Sequence, residues 1–314
     1  MTYTFRNRFK IGGNRYAVDG HEYVLAEPPS DDGRVVLKSG SGQAISQTDE
    51  LILQGSGYPD FDAAKDAGRR WRQYLTKALP RGGRGADFGD DGASRIAPVL
   101  DRVFEEEPPE IFAMMGIERG DRIVQDRQGL IVFATEPPAK CLHAAAGAVT
   151  IGTGVGTSLK TAHESTYAPF DARQELAYAL VHQALFDPNP ETRYIQLVTA
   201  IEALLPEAAC PRLIQDALDE LVKVAKEWPE SETKTRVLQI LDGDRRESVR
   251  QMAMGLVSKL SSTYDDLQPK SYFDLCYGNR SALVHGNAER PDVREYRTLL
   301  RFVLDVLDVY ANND

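Results

Sequence analysis

Hydrophobic and polar positions change rhythm once along this chain, near residue 170. Before that point, short β-prone runs alternate with turn signals. Tyr16–Val18 and Glu22–Ala26 flank the turn pair Asp19-Gly20, and Arg34–Leu37 follows Asp31-Asp32-Gly33. Glu50–Gln54 is a fourth run. A helix is predicted from Asp60 to Leu79, with Pro59 suited to its start and Pro80, Gly82 and Gly83 to its end. The glycine-rich stretch 81–93 reads as a flexible loop. Arg122–Asp126 and Leu130–Ala134 read as a hairpin around Asp126-Arg127-Gln128-Gly129, and Ala148–Ile151 as one more strand.

After residue 170 the apolar spacing becomes helical. Leu176, Leu180, Val181, Ala184 and Leu185 mark a helix over 171–186. Asn189-Pro190-Glu191 then combines a capping side chain, a first-position proline and an acidic first turn. Tyr194, Leu197, Val198, Ile201 and Leu205 form the stripe of the helix it opens, which Pro206 ends. Leu213, Ala217, Leu218, Leu221, Val224 and Trp228 mark the next. Further helices are predicted at 231–241 and 246–261, from Pro269 through His285, and from Pro291 to the C-terminal end. The last carries Val293, Tyr296, Leu299, Leu300, Val303, Leu304, Leu307 and Tyr310 on one face. Such stripes must be buried against one another, which predicts a helical bundle. The fold class expected is therefore α+β, in two domains. Residues 1–165 form a mixed α/β region with a small antiparallel sheet and no assigned role, and residues 166–314 an all-α bundle.

Composition narrows the classes. The 314 residues are 42% hydrophobic and 27% charged, enough apolar chain for a real core. The net charge of -10 argues against a general nucleic-acid or anionic-membrane binder, and the excess is shared equally by residues 1–189 and 190–314. No secretory leader and no apolar run of about 18 residues is visible, so a cytoplasmic protein without a membrane partner is expected. Cys141, Cys210 and Cys276 match no zinc spacing and fit reduced thiols.

One segment suggests chemistry: Tyr277-Gly278-Asn279-Arg280-Ser281-Ala282-Leu283-Val284-His285-Gly286-Asn287. Five residues of helix place Arg280 and His285 roughly 140° apart, so a shared cleft needs a frayed helix end, a second helix or a second subunit. Arginine is a permanent, planar, bidentate phosphate ligand, and histidine can take up or release a proton near neutrality. Together the two types could position a phosphodiester and move the proton of a ribose 2′-hydroxyl without a metal or other cofactor. Spacing alone favours a plainer reading, a helix end with a cationic cap. Glu202 borders the stripe of its helix. A carboxylate there needs a partner, with Arg280 the best candidate, and an exposed helix-edge glutamate is the equal alternative.

Arg280-Ser281 and His285-Gly286, following a helix that contains Ala200-Ile201-Glu202-Ala203-Leu204, resemble the HEPN superfamily, and within it the ApeA-like branch. The resemblance covers residues 170–314. It implies a HEPN-like bundle that is usually dimeric, with the Arg and His motifs of two chains facing each other. Catalytic members are metal-independent endoribonucleases that leave cyclic phosphate ends and act as toxin, abortive-infection and antiviral effectors. Carried over, Arg280 would hold the scissile phosphate and His285 would act as general acid or base, supported by Glu202, Asn279 and Ser281. Many nuclease members have Asn, Asp or His after the arginine, and Ser281 stands there instead. The resemblance therefore also allows a non-catalytic module that binds nucleotide or RNA, or a dimerising scaffold for a regulatory partner protein.

Four other features bear on function. Arg69, Arg70 and Arg72, with Lys77, Arg81 and Arg84 beyond, interleave with Trp71 and Tyr74. The run could track an RNA backbone and stack a base, or be a solvated helix face with its aromatics turned inward, the favoured reading. Gly152–Ser158 is glycine-rich but lacks the lysine and spacing of a phosphate loop. Cys141, His143 and His163 lack a fourth ligand, so no metal site is expected. His182 reads as a packing residue.

Overall fold

The longest strand among the described residues is one that local pattern hides. In the computed structural model, β1 (Tyr3–Gly13) is a central strand of a seven-stranded sheet. The structure describes residues 1–13, 15–27, 33–91, 99–100, 110, 117–119, 121–126, 128–142, 168–206, 209–243, 245–286 and 290–312. The chain divides into two compact units. One comprises Met1–Phe170 with His182–Asp187, the other Asp171–Val181 with Pro188–Asp314. The first carries the sheets and the second is helical, so the fold is α+β.

In the first unit, β2 (Glu22–Ala26), β3 (Arg34–Ser39) and β4 (Glu50–Tyr58) form a meander that reaches β1. Lys10 lies opposite Glu50 and Arg6 opposite Gln54 in the antiparallel register. The helix α1 (Phe61–Arg81) is capped by Asp60, whose side chain accepts from the Ala63 amide. It covers one face of the sheet. Phe5, Phe9, Leu37, Leu51, Leu53, Trp71, Leu75, Leu130 and Val132 form the core there. Gly68 permits the close approach, because a Cβ at that position would come within 2.7 Å of the Leu130 side chain.

The stretch 81–93, expected to be a loop, contributes β5 (Arg84–Asp87) and β6 (Asp90–Asp91). β5 pairs with β1, and β6 runs parallel to β9 (Gly129–Ala134), the strand on the other side of β1. Tyr16–Val18 is not a strand. Tyr16 is buried beneath the Arg84 guanidinium, 4.4 Å from its ring centre. The expected hairpin is also overturned. A separate three-stranded sheet holds β7 (Val99–Leu100), β8 (Arg122–Gln125) and β10 (Ala139–Leu142), so β8 and β9 belong to different sheets.

The reason lies in the residue between them. Asp126, whose side chain is 1% exposed, accepts from Arg6 Nε at 3.0 Å and Nη2 at 2.7 Å, and from Arg8 Nη2 at 2.6 Å. Arg8 also reaches Glu50 at 3.1 Å and the Gly40 carbonyl at 2.8 Å. Burial works to raise the Asp126 carboxyl, but Arg6 and then Arg8 outweigh it and hold the group below the ordinary carboxylate range. The connection is thus pinned to the face of β1 opposite α1. Ile131 and Phe133 meet Val124 on that side as well.

The helix α2 (Ala172–Phe186) supplies residues to both units. Within the first, His182 is buried between α1 and β5. Its Nδ1 accepts from the Ala86 amide at 2.9 Å, and its Nε2 lies 3.1 Å from the Thr76 carbonyl. In the second unit, α3 (Pro190–Ala203) is capped by Asn189, which accepts from the amides of Glu191 and Thr192. Then follow α4 (Arg212–Lys226), α5 (Glu232–Gly243), α6 (Val249–Val257), α7 (Pro269–Val284) and α8 (Val293–Ala311). Asp292 and Glu295 close a capping box at the start of α8. The bundle core comes from α3, α7 and α8, through Tyr194, Leu197, Val198, Ile201, Phe273, Cys276, Phe302, Val303 and Val306. Several expected core positions are not in it: Leu176 and Val293 are exposed, and of the α4 stripe only Leu218 is buried. Among the described residues, no helix is long and apolar enough to cross a membrane.

Candidate functional site

α3 and α7 pack against each other, which brings the two sequence motifs together. Arg280 Nη2 lies 3.5 Å from Glu202 Oε2, a pair that is mostly shielded from solvent. Burial pushes the Glu202 carboxyl above its ordinary range, and the Arg280 charge offsets part of that rise. The pair leaves donor capacity over. Arg280 Nε is buried and makes no hydrogen bond, so the guanidinium keeps an unused N–H beside the carboxylate.

The flanking residues divide by exposure. Asn279 turns toward the bundle and hydrogen-bonds the Tyr194 hydroxyl, which also meets the Cys276 thiol. Burial pushes that thiol up to about 11, so Cys276 is a packing residue and not a nucleophile. Ser281 is exposed. His285 is the C-cap of α7, with its backbone N–H directed at the Leu283 and Ser281 carbonyls. Gly286 follows at φ +71°, the left-handed conformation that stops a helix and favours glycine. The imidazole is exposed and makes no hydrogen bond or ion pair among the described residues. One chain therefore joins Glu202 to Arg280, backs Asn279 with Tyr194, and leaves His285 and Ser281 open to solvent. Sequence reasoning did not single out Tyr194. Its hydroxyl sits in the apolar stripe of α3, and only the helix packing shows that it anchors Asn279.

The basic run of α1 is engaged within its own unit. Arg69 Nε and Nη2 both reach Asp91 Oδ2 at 2.6 Å. Arg72 donates to the Gly89 carbonyl and lies over the Phe88 ring. Arg70 is half-buried, and Trp71 and Tyr74 face the core, where neither can stack on a base. Ala148–Ile151, Gly152–Ser158, His143 and His163 lie outside the described residues. No group of three or more His, Cys, Asp or Glu side chains could hold a metal among the described residues.

No family model, curated protein or solved structure matches the chain.

Proposed function

We propose that this chain is a HEPN-type, metal-independent endoribonuclease of the cytoplasm, acting in antiviral defence or abortive infection, with RNA as substrate and a second copy completing the site. The observation that carries the reading is the Glu202–Arg280 pair, which links the two motif helices. In this reading the partly exposed guanidinium of Arg280 grips the scissile phosphate. His285 takes the proton from the ribose 2′-hydroxyl as that oxygen attacks phosphorus, or gives one to the departing 5′-oxygen. A 2′,3′-cyclic phosphate and a 5′-hydroxyl result. Glu202 keeps the guanidinium in place until the phosphate arrives.

A second reading, a non-catalytic nucleotide- or RNA-binding module or a dimerising scaffold for a regulatory protein, draws on a different observation. Among the described residues none orients the His285 ring, and a general base gains from such a partner. Incubation of the full chain with a mixed RNA pool in EDTA separates the two. The nuclease reading expects cyclic-phosphate products, lost by about 10²–10⁴-fold in His285→Ala and reduced in Arg280→Ala. Binding of RNA without cutting, or cutting unchanged in His285→Ala, supports the scaffold and ends the nuclease assignment.

A further inference from the structure

The helix α4 is apolar over half its circumference, and only one flank of that half is covered. At 100° per residue, Leu218, Val222 and Ala225 share one flank. Leu218 and Ala225 are buried in the α4–α5 hairpin. Leu213, Ala217, Leu221 and Val224, with Trp228 in the turn that follows, occupy an adjoining arc of about 80°. That arc faces outward: Leu213 is 81% exposed, Leu221 53%, Val224 55% and Trp228 44%. Single exposed apolar residues are ordinary, but a continuous stripe along four helical turns marks an interaction surface.

The charges beside the stripe identify what covers it. Arg212, Asp216, Lys223 and Glu227 are all exposed and fall within the next arc of about 60°. With Glu220, which lies between them and the stripe, their signs along the helix read plus, minus, minus, plus, minus. If two copies of α4 pack antiparallel about an axis between Asp219 and Glu220, Arg212 of one copy faces Glu227 of the other, and Asp216 faces Lys223. Both contacts occur twice, as an isologous pairing requires. Parallel packing would set each charge against its like. Glu220, closest to the axis, is already held by Lys223 at 2.6 Å, and the ammonium has donors left for the other copy. We propose that α4 is a homotypic docking surface, on which a second copy of this chain packs antiparallel, stripe against stripe.

The stripe is about 22 Å long and about 10 Å wide. The facing stripes of two copies cover on the order of 450 Å² in total, below the usual size of a stable interface, so a weak and reversible association is expected. This surface does not depend on the nuclease reading, and a dimer formed through Arg280 and His285 would survive its loss. Sedimentation of the full chain from about 1 to 300 μM tests the pairing. A reversible, concentration-dependent association step is expected, monomer to dimer or, for a chain already paired through Arg280 and His285, dimer to tetramer, and it should be absent in Leu221→Asp and in Val224→Asp, both with an unchanged circular dichroism spectrum. The double variants Arg212→Glu/Lys223→Glu and Asp216→Lys/Glu227→Lys should each lose this association step, and an equimolar mixture should regain it. No such step at any concentration, a step indifferent to both stripe variants, or a charge-variant mixture that shows none would each overturn the proposal.

Discussion

His182 shows how much a single side chain can tie to pH. Both ring nitrogens are committed, one accepting from Ala86 and the other donating to Thr76, and the ring is 5% exposed. Burial lowers its proton affinity from the ordinary 6.5 to about 4, against a smaller opposing effect of the Thr76 carbonyl. The unfolded chain therefore binds a proton at this site from about pH 6.5 downward, while the folded chain binds it only near pH 4. Stability from this group is complete above pH 6.5 and is lost between 6.5 and 4, by on the order of 3 kcal/mol. Urea unfolding at pH 7.5, 5.5 and 4.5 should show that decline, and His182→Gln should flatten it while lowering stability at pH 7.5. An equal pH slope in both proteins would mean that other groups cause the decline. The residue was legible as a packing histidine from its place beside an apolar face. Its two bonding partners were not, since Thr76 lies 106 residues away in sequence.

At the scale of elements, what could be read depended on how local the signal was. The start of α3 stands in the sequence as Asn189-Pro190, and the capping side chain makes the bonds those residues imply. α7 likewise opens at Pro269 and ends at Gly286. β1 is the opposite case. Its Thr-Phe-Arg-Asn-Arg-Phe-Lys run looks solvated because Arg6, Asn7 and Arg8 interrupt the apolar residues, yet all three are buried. What makes that burial tolerable is Asp126, 120 residues downstream from Arg6, and buried charge is stable only when paired. A periodicity argument cannot see a counter-ion so distant. The candidate site divides similarly. Glu202 and Arg280 were found through motif and helix phase, whereas the spare donor on Arg280 and the Tyr194–Asn279 contact exist only once α3 and α7 are packed. The seam between α1 and the sheet gives a direct check. Gly68→Val would drive branched methyl groups into Leu130 and Phe5, and a loss of roughly 1–3 kcal/mol is expected from overpacking. An unchanged melting temperature would mean that α1 is free to lift from β1.

For the molecule as a whole, the distribution of parts matters more than the count of domains. A cut at residue 165 or 170 removes His182–Asp187 from the unit to which they belong. Gly85 and Gly12 then lose the Phe186 ring that lies against them, and Ala86 loses its acceptor. A fragment ending at 170 should therefore melt lower, or aggregate, relative to one ending at 187, as followed by circular dichroism. Equal melting of the two would show that the returning turn of α2 is dispensable. The net charge of -10 acts at this scale too. With Arg69 and Arg72 engaged internally, the nuclease reading places the attraction for a polyanion at Arg280 and its surroundings, so affinity for RNA should be modest and should depend on strand geometry.

The split membership of α2 also has a consequence in time. A chain leaves the ribosome from its N-terminus at about 5–20 residues per second. The sheet unit reaches Phe170 still lacking its closing turn, and it must wait roughly one to three seconds of further synthesis before Asp187 exists. During that interval Gly85 and Ala86 present an unfinished seam, and the nascent protein is open to capture by chaperones at the place where α2 will later close it.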